Sequence, residues 1–148
     1  MGTVSLQSSR MEGASPARLY ATLIGAVLVI AGLVGFFYSA SFGAPGQVDD
    51  VFGVLAVNAW HNLFHIATGA IGLLVAGYAA RQYALWLGLL YLVVATWGFI
   101  IGDSASILGF LPVNAEDSVL HLVLGLLGVG AAMATPVARP ASTRARAT

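Results

Sequence analysis

The stretch GVLAVNAWHNLFHIATGAIG, Gly53 to Gly72, decides how this chain is read. It recurs as GFLPVNAEDSVLHLVLGLLG, Gly109 to Gly128, at a constant offset of 56 residues. Gly, Leu, Val-Asn-Ala, His and two further Gly fall on matching positions. The segments that precede the two stretches align as well. Arg18, Tyr20, Gly25, Gly35 and Phe36 correspond to Arg81, Tyr83, Gly88, Gly98 and Phe99 at an offset of 63. A longer first connection, FGAPGQVDD at 42–50, absorbs the difference. The chain reads as two copies of one unit, each a pair of helices joined by a loop.

Composition says where those helices lie. The chain has 148 residues, 59% hydrophobic and 8% charged, with a mean hydropathy of +0.90. A soluble domain carries about 25% charged residues. The composition is that of an integral membrane protein, with no room for a further folded soluble domain. There is no cysteine, which excludes disulfides, iron–sulfur clusters and thiol chemistry. There is no lysine and no basic run to suggest a nucleic-acid partner.

Apolar runs place four transmembrane helices at about 19–40, 59–80, 83–101 and 118–135, the last somewhat short. A span needs about 20 apolar residues. The expected fold is all-α: a polytopic four-helix bundle made of two parallel-repeat helical hairpins, related by a pseudo-two-fold axis along the membrane normal. Residues 1–17 read as a flexible tail and 136–148 as a basic one. Arg10, Arg18, Arg81, Arg139, Arg144 and Arg146 all fall in the tails or the middle connection. The positive-inside rule makes that side cytoplasmic. The expectation is a multi-pass inner-membrane protein with both termini in the cytoplasm. The first apolar run is longer than a signal-peptide core. Tyr20, Tyr83 and the three tryptophans read as interfacial anchors.

Polar residues inside a membrane face protein or a cavity and carry function by default. Asn58, His61, His65, Gly69 and Gly72 are spaced three, four, four, three, and so are Asn114, Asp117, His121, Gly125 and Gly128. Each set shares one helix face. Three chemistries are open. His61, His65, Asp117 and His121 are a plausible ligand set for zinc or another divalent transition metal. His65 and His121 alone would suit the axial positions of a haem b, with Trp60, Phe64 and Phe110 as flanking aromatics. Otherwise the stripe is a packing seam between helices two and four. In that reading Asn58 and Asn114 are N-caps, and Gly69, Gly72, Gly125 and Gly128 allow close approach. Asp103 would cap or end helix three. No catalytic triad, phosphate loop or HExxH motif is present, so no enzyme is expected.

The two motifs resemble the signature segments of a family of small four-helix bacterial membrane proteins, common in actinobacteria and classed as a domain of unknown function. Its pattern is Asn-x-x-His-Asn-x-x-His in helix two and Asn-x-x-Asp-Asn-x-x-His before and in helix four. Asn58, His61, Asn62 and His65 match the first, and Asn114, Asp117 and His121 the second; Ser118 departs from it. The resemblance covers roughly residues 17–135 and implies the fold and the motif residues, not an activity. The leading functional expectation is a non-enzymatic structural or accessory subunit, in contact with the lipid bilayer and with other membrane subunits or a second copy of itself. A haem- or metal-binding protein for electron transfer or sensing, and a small transporter, are the alternatives.

Overall fold

The computed structural model describes residues 15–42, 49–103 and 105–137. The readings of Arg10, of Arg139, Arg144 and Arg146, of most of both tails and of residues 43–48 lie outside the described residues. Four helices carry the fold: α1 (Pro16–Tyr38), α2 (Ala59–Val75), α3 (Ala80–Ile101) and α4 (Ala115–Ala134). Three of them, α1, α3 and α4, are long and apolar enough to cross a membrane. The short one is α2, not α4: its 17 residues rise about 26 Å at 1.5 Å each.

Helix ends explain the shifts from the expected bounds. Ser15 caps α1 by accepting from Arg18 N, and Pro16 occupies the first helical position, where its missing N–H costs nothing. α2 stops at Val75, ahead of Gly77, and a tight turn leads straight into α3. Arg81 and Gln82, read as separators, lie in the first turn of α3, where Arg81 Nε donates to Ala132 O of α4 at 3.1 Å and Gln82 is exposed. α4 begins three residues early because Asn114 caps it, and Glu116 and Asp117 sit in a first turn that favours negative charge.

Among the described residues, the connections at the other end each hold a hairpin. β1 (Asp49–Val51) pairs antiparallel with β2 (Leu55–Val57), Asp50 opposite Ala56. β3 (Ala105–Ile107) pairs with β4 (Leu111–Val113), Ser106 opposite Pro112. Each turn holds two consecutive residues at positive φ, Phe52 and Gly53 at 54° and 70°, Leu108 and Gly109 at 55° and 79°. That is the backbone of a hairpin turn whose twist matches its strands.

α1 packs on α2 and α3 on α4. The contact is backbone on backbone: a Cβ placed on Gly69 would lie 2.5 Å from Gly25 O, and one on Gly125 would lie 3.0 Å from Gly88 O. The two helix pairs meet chiefly through α1, which touches both α3 and α4. Tyr20 and Tyr83 stand at that junction, ring centroids 6.5 Å apart. Tyr20 donates to Leu124 O of α4 at 2.9 Å and Tyr83 to Thr68 O of α2 at 3.1 Å. Both are buried, so they are core residues and not surface anchors. Their hydroxyls find acceptors inside because Gly128 and Gly72 leave the space. Outward faces carry Leu23, Val27, Ile30, Leu90, Val93 and Leu126, exposed and apolar, as lipid-facing surfaces are.

Of the six helix pairs, α2 and α4 are the least closely packed. The expected seam between them is therefore not continuous. Gly69 and Gly72 face Gly25 and Tyr83, while Gly125 and Gly128 face Leu92, Ala84 and Tyr20. Only at the hairpin end do the polar residues of α2 and α4 reach each other.

Candidate functional site

Asparagine starts both helices that carry the polar residues. Asn58 Oδ1 accepts from His61 N at 2.9 Å, and Asn114 Oδ1 accepts from Asp117 N at 2.8 Å. An N-cap of this kind fixes the rotation of the first turn. Each asparagine also reaches across: Asn58 Nδ2 donates to Phe110 O and Asn114 Nδ2 to Val54 O, both at 2.6 Å. The two helix starts are thus tied to each other's hairpins. Asp103 adds a further cap, its Oδ1 accepting from Ala115 N at 2.8 Å. It serves α4 rather than α3, a role only the return of the β3–β4 hairpin makes possible.

With the starts fixed, His61 and His65 project one turn apart from α2, and His121 projects from α4. One ring nitrogen from each of the three lies within 4.8 Å of the others. Ring centroids are 4.4 Å apart for His61–His65, 6.0 Å for His61–His121 and 6.2 Å for His65–His121. His61 and His121 are buried and His65 half-buried. His61 Nδ1 lies 2.9 Å from Ala56 O. A carbonyl only accepts, so Nδ1 carries the hydrogen and the neutral ring's lone pair is on Nε2. That Nε2 lies 3.1 Å from His65 Nε2. His121 Nδ1 is buried with no hydrogen-bond partner among the described residues, and Tyr91 packs against its ring in a T-shaped arrangement, centroids 4.9 Å apart.

Asp117 was grouped with these histidines on spacing, and the fold separates it. Its Oδ2 accepts from Ala56 N at 2.9 Å, and it falls outside the set of mutually close ligand atoms. The i, i+4 spacing to His121 is real, but the carboxylate turns to strand β2, whose N–H would otherwise be buried unpaired.

Three imidazoles at these separations suit one ion. Zn–N bonds of about 2.0–2.1 Å in a tetrahedral site put ligand nitrogens about 3.3 Å apart, so modest side-chain rotation closes the set. The same geometry does not suit a haem between His65 and His121. Axial ligands stand on opposite faces of a flat macrocycle with nothing else between them. Here His61 is bonded to the His65 nitrogen that would face the iron and sits beside both rings. The flanking aromatics also stand elsewhere. Trp60 packs on Phe42 and Phe110, and Phe64 on Phe110, in a row of their own.

Sequence reasoning gave Asn62 no task. It is fully buried, its Nδ2 donates to Ser39 O at 2.9 Å, and its carboxamide fills the space left by Gly35. Ser118 plays the matching part against Gly98, its hydroxyl turned back to Asn114 O at 2.8 Å. The smaller residue at 118 therefore removes no member of the histidine group.

The chain belongs to the family described as Domain of unknown function (DUF4383), whose model matches residues 18–134. No curated protein and no solved structure matches it.

Proposed function

From that family membership as premise, we propose that the chain is a small non-catalytic integral membrane protein that holds a first-row divalent ion, zinc by preference of ligand type, on His61, His65 and His121. The observation that carries the reading is the convergence of three ring nitrogens within 4.8 Å, one of them preset by Ala56 O as a lone-pair donor. Three neutral imidazoles from two helices give the coordination found in zinc sites that keep one position open. The bundle is two copies of one hairpin about an axis along the membrane normal. This draws on paired contacts at the sequence offsets, such as Tyr20–Leu124 with Tyr83–Thr68 and Asn58–Phe110 with Asn114–Val54. The histidines lie in the outer half of the inner membrane, with both termini cytoplasmic, an orientation that rests on the arginines.

The test is purification in mild detergent without chelator, followed by metal analysis and an absorption spectrum. The expected result is about one zinc or similar ion per chain, no Soret band, and loss of the ion in His61→Ala, His65→Ala and His121→Ala. Wild-type protein that binds no divalent ion after reconstitution sinks the reading.

A second reading, an accessory subunit of a membrane complex, is favoured by how little of the described chain extends past the helices: two hairpins of three-residue strands. It predicts copurifying membrane proteins whether or not metal is bound. A transport path has less support, because beneath His65 the α2 face is Gly69 and Gly72, closed by Leu28 and Tyr83.

A further inference from the structure

We infer that Asp117 is a positioning residue for His61 and that it acts through a single backbone residue, Ala56. The inference rests on the metal reading of the histidines and adds a part that the ligands alone do not show. Ala56 is held on both sides: its N–H donates to Asp117 Oδ2 and its carbonyl accepts from His61 Nδ1, each at 2.9 Å. Ala56, Asp117 and His61 are all buried, so water replaces none of these bonds. The carbonyl selects the ring tautomer and its angle. The carboxylate holds the strand that carries the carbonyl. Metal-binding histidines are commonly oriented by a carboxylate or a carbonyl on the far nitrogen. Here both are used in series, and they join the two halves, since Asp117 stands on α4 and His61 on α2.

The aligned positions support this division. Ala56 corresponds to Pro112, and Asp117 to His61, at the offset of 56. Proline has no N–H to give. A carboxylate at 61 would have no backbone donor at 112 to hold, whereas a histidine there is free to turn inward. One acid and three histidines are what this arrangement needs, and the acid belongs on the side facing Ala56.

The experiment uses the full-length protein in detergent, with cobalt(II) as the probe, and compares wild type, Asp117→Asn and Asp117→Ala. Folding is checked first by circular dichroism and gel filtration. Asparagine keeps an oxygen for the Ala56 N–H and should bind cobalt within a few-fold of wild type, with an unchanged visible spectrum. Alanine should lose affinity about 10- to 100-fold, as for removal of other outer ligand partners. A metal-free readout accompanies it. Nitrogen-15 spectra of histidine-labelled protein should show His61 with its proton on Nδ1 in wild type and Asp117→Asn, and a mixture of tautomers in Asp117→Ala. An alanine variant with wild-type affinity and an unchanged tautomer overturns the inference. So does an asparagine variant as weak as alanine, which would mean that the charge or direct ligation matters. If wild type binds no cobalt, the metal reading fails, and the nitrogen-15 comparison still decides the positioning role.

Discussion

Gly69→Ala tests the packing that brings the histidines to their place. A Cβ at Gly69 would meet Gly25 O at 2.5 Å, Val29 N at 2.8 Å and Leu28 Cβ at 2.9 Å. Two of those atoms are backbone of α1, so no side-chain rotation relieves them. Ordinary contact begins near 3.4 Å, which requires α1 and α2 to part by nearly an ångström along the whole crossing. Overpacking of this kind costs about 1–3 kcal/mol.

The aligned substitution, Gly125→Ala, is softer. Its Cβ meets Leu92 Cδ2 and Cγ at 2.8 Å, a leucine end that can turn away, and backbone only at 3.0 Å. We expect a cost below about 1 kcal/mol once Leu92 rotates. Gly130→Ala is the control: nothing lies within 4 Å, and the residue is inside α4. It should be neutral or stabilising by about 0.5–1 kcal/mol through helix propensity. The assay is reversible unfolding in mixed micelles titrated with SDS, read by tryptophan fluorescence. The order of stability should be Gly130→Ala, wild type, Gly125→Ala, Gly69→Ala. Equal costs for Gly69→Ala and Gly125→Ala would refute the claim that backbone contact at Gly25 sets the α1–α2 distance.

Asn58→Ser keeps the helix cap but is too short to reach Phe110 O, whereas Asn58→Ala loses both bonds; alanine should be less stable than serine by about 1 kcal/mol in the same titration. Gly35→Ala collides with the Asn62 carboxamide, so its cost should fall in an Asn62→Ala background, with a coupling of about 0.5–3 kcal/mol in a double-mutant cycle. The chain has no cysteine, so Phe52→Cys and Tyr78→Cys, both well exposed, report orientation cleanly. In intact cells an impermeant maleimide should label position 52 and spare 78; the reverse pattern would invert the proposed topology. Zinc at 100 times its Kd should stabilise wild type by about 2.7 kcal/mol and leave His121→Ala unmoved, as differential melting would show.

The four helices were legible because long apolar runs admit few other structures. Their ends were less so: Arg81 and Gln82 look like punctuation, yet a helix's first turn accepts polar residues where water is near. The hairpins were hidden by Phe52 and Leu108, since bulky residues rarely take positive φ and gave no turn signal beyond the glycine after each. The stripe spacing correctly put the histidines and glycines of α2 on one face. It could not say that this face meets α1 at Gly69 and α4 at His61, because that depends on how α2 crosses its neighbours. For the same reason spacing grouped Asp117 with His121, while the free N–H of Ala56, a backbone group invisible to side-chain pattern, turned the carboxylate elsewhere.

That reassignment changes what kind of metal site is at stake. Structural zinc is held by four protein ligands in a closed shell, and sites with three keep a place for water or another small ligand. With Asp117 committed to Ala56, the three histidines of the proposed site would leave one coordination position to another ligand. His65, the half-buried member, would be the most accessible edge of that site. The ion would also sit where the bundle is least packed, between α2 and α4, which otherwise meet at the hairpin end through the asparagine cross-ties and the Asp117–Ala56–His61 chain. An ion there would join two helices that little else joins directly. In the proposed site the open position would favour an ion that exchanges, while the weak packing between α2 and α4 would let the same ion add to the stability of the bundle.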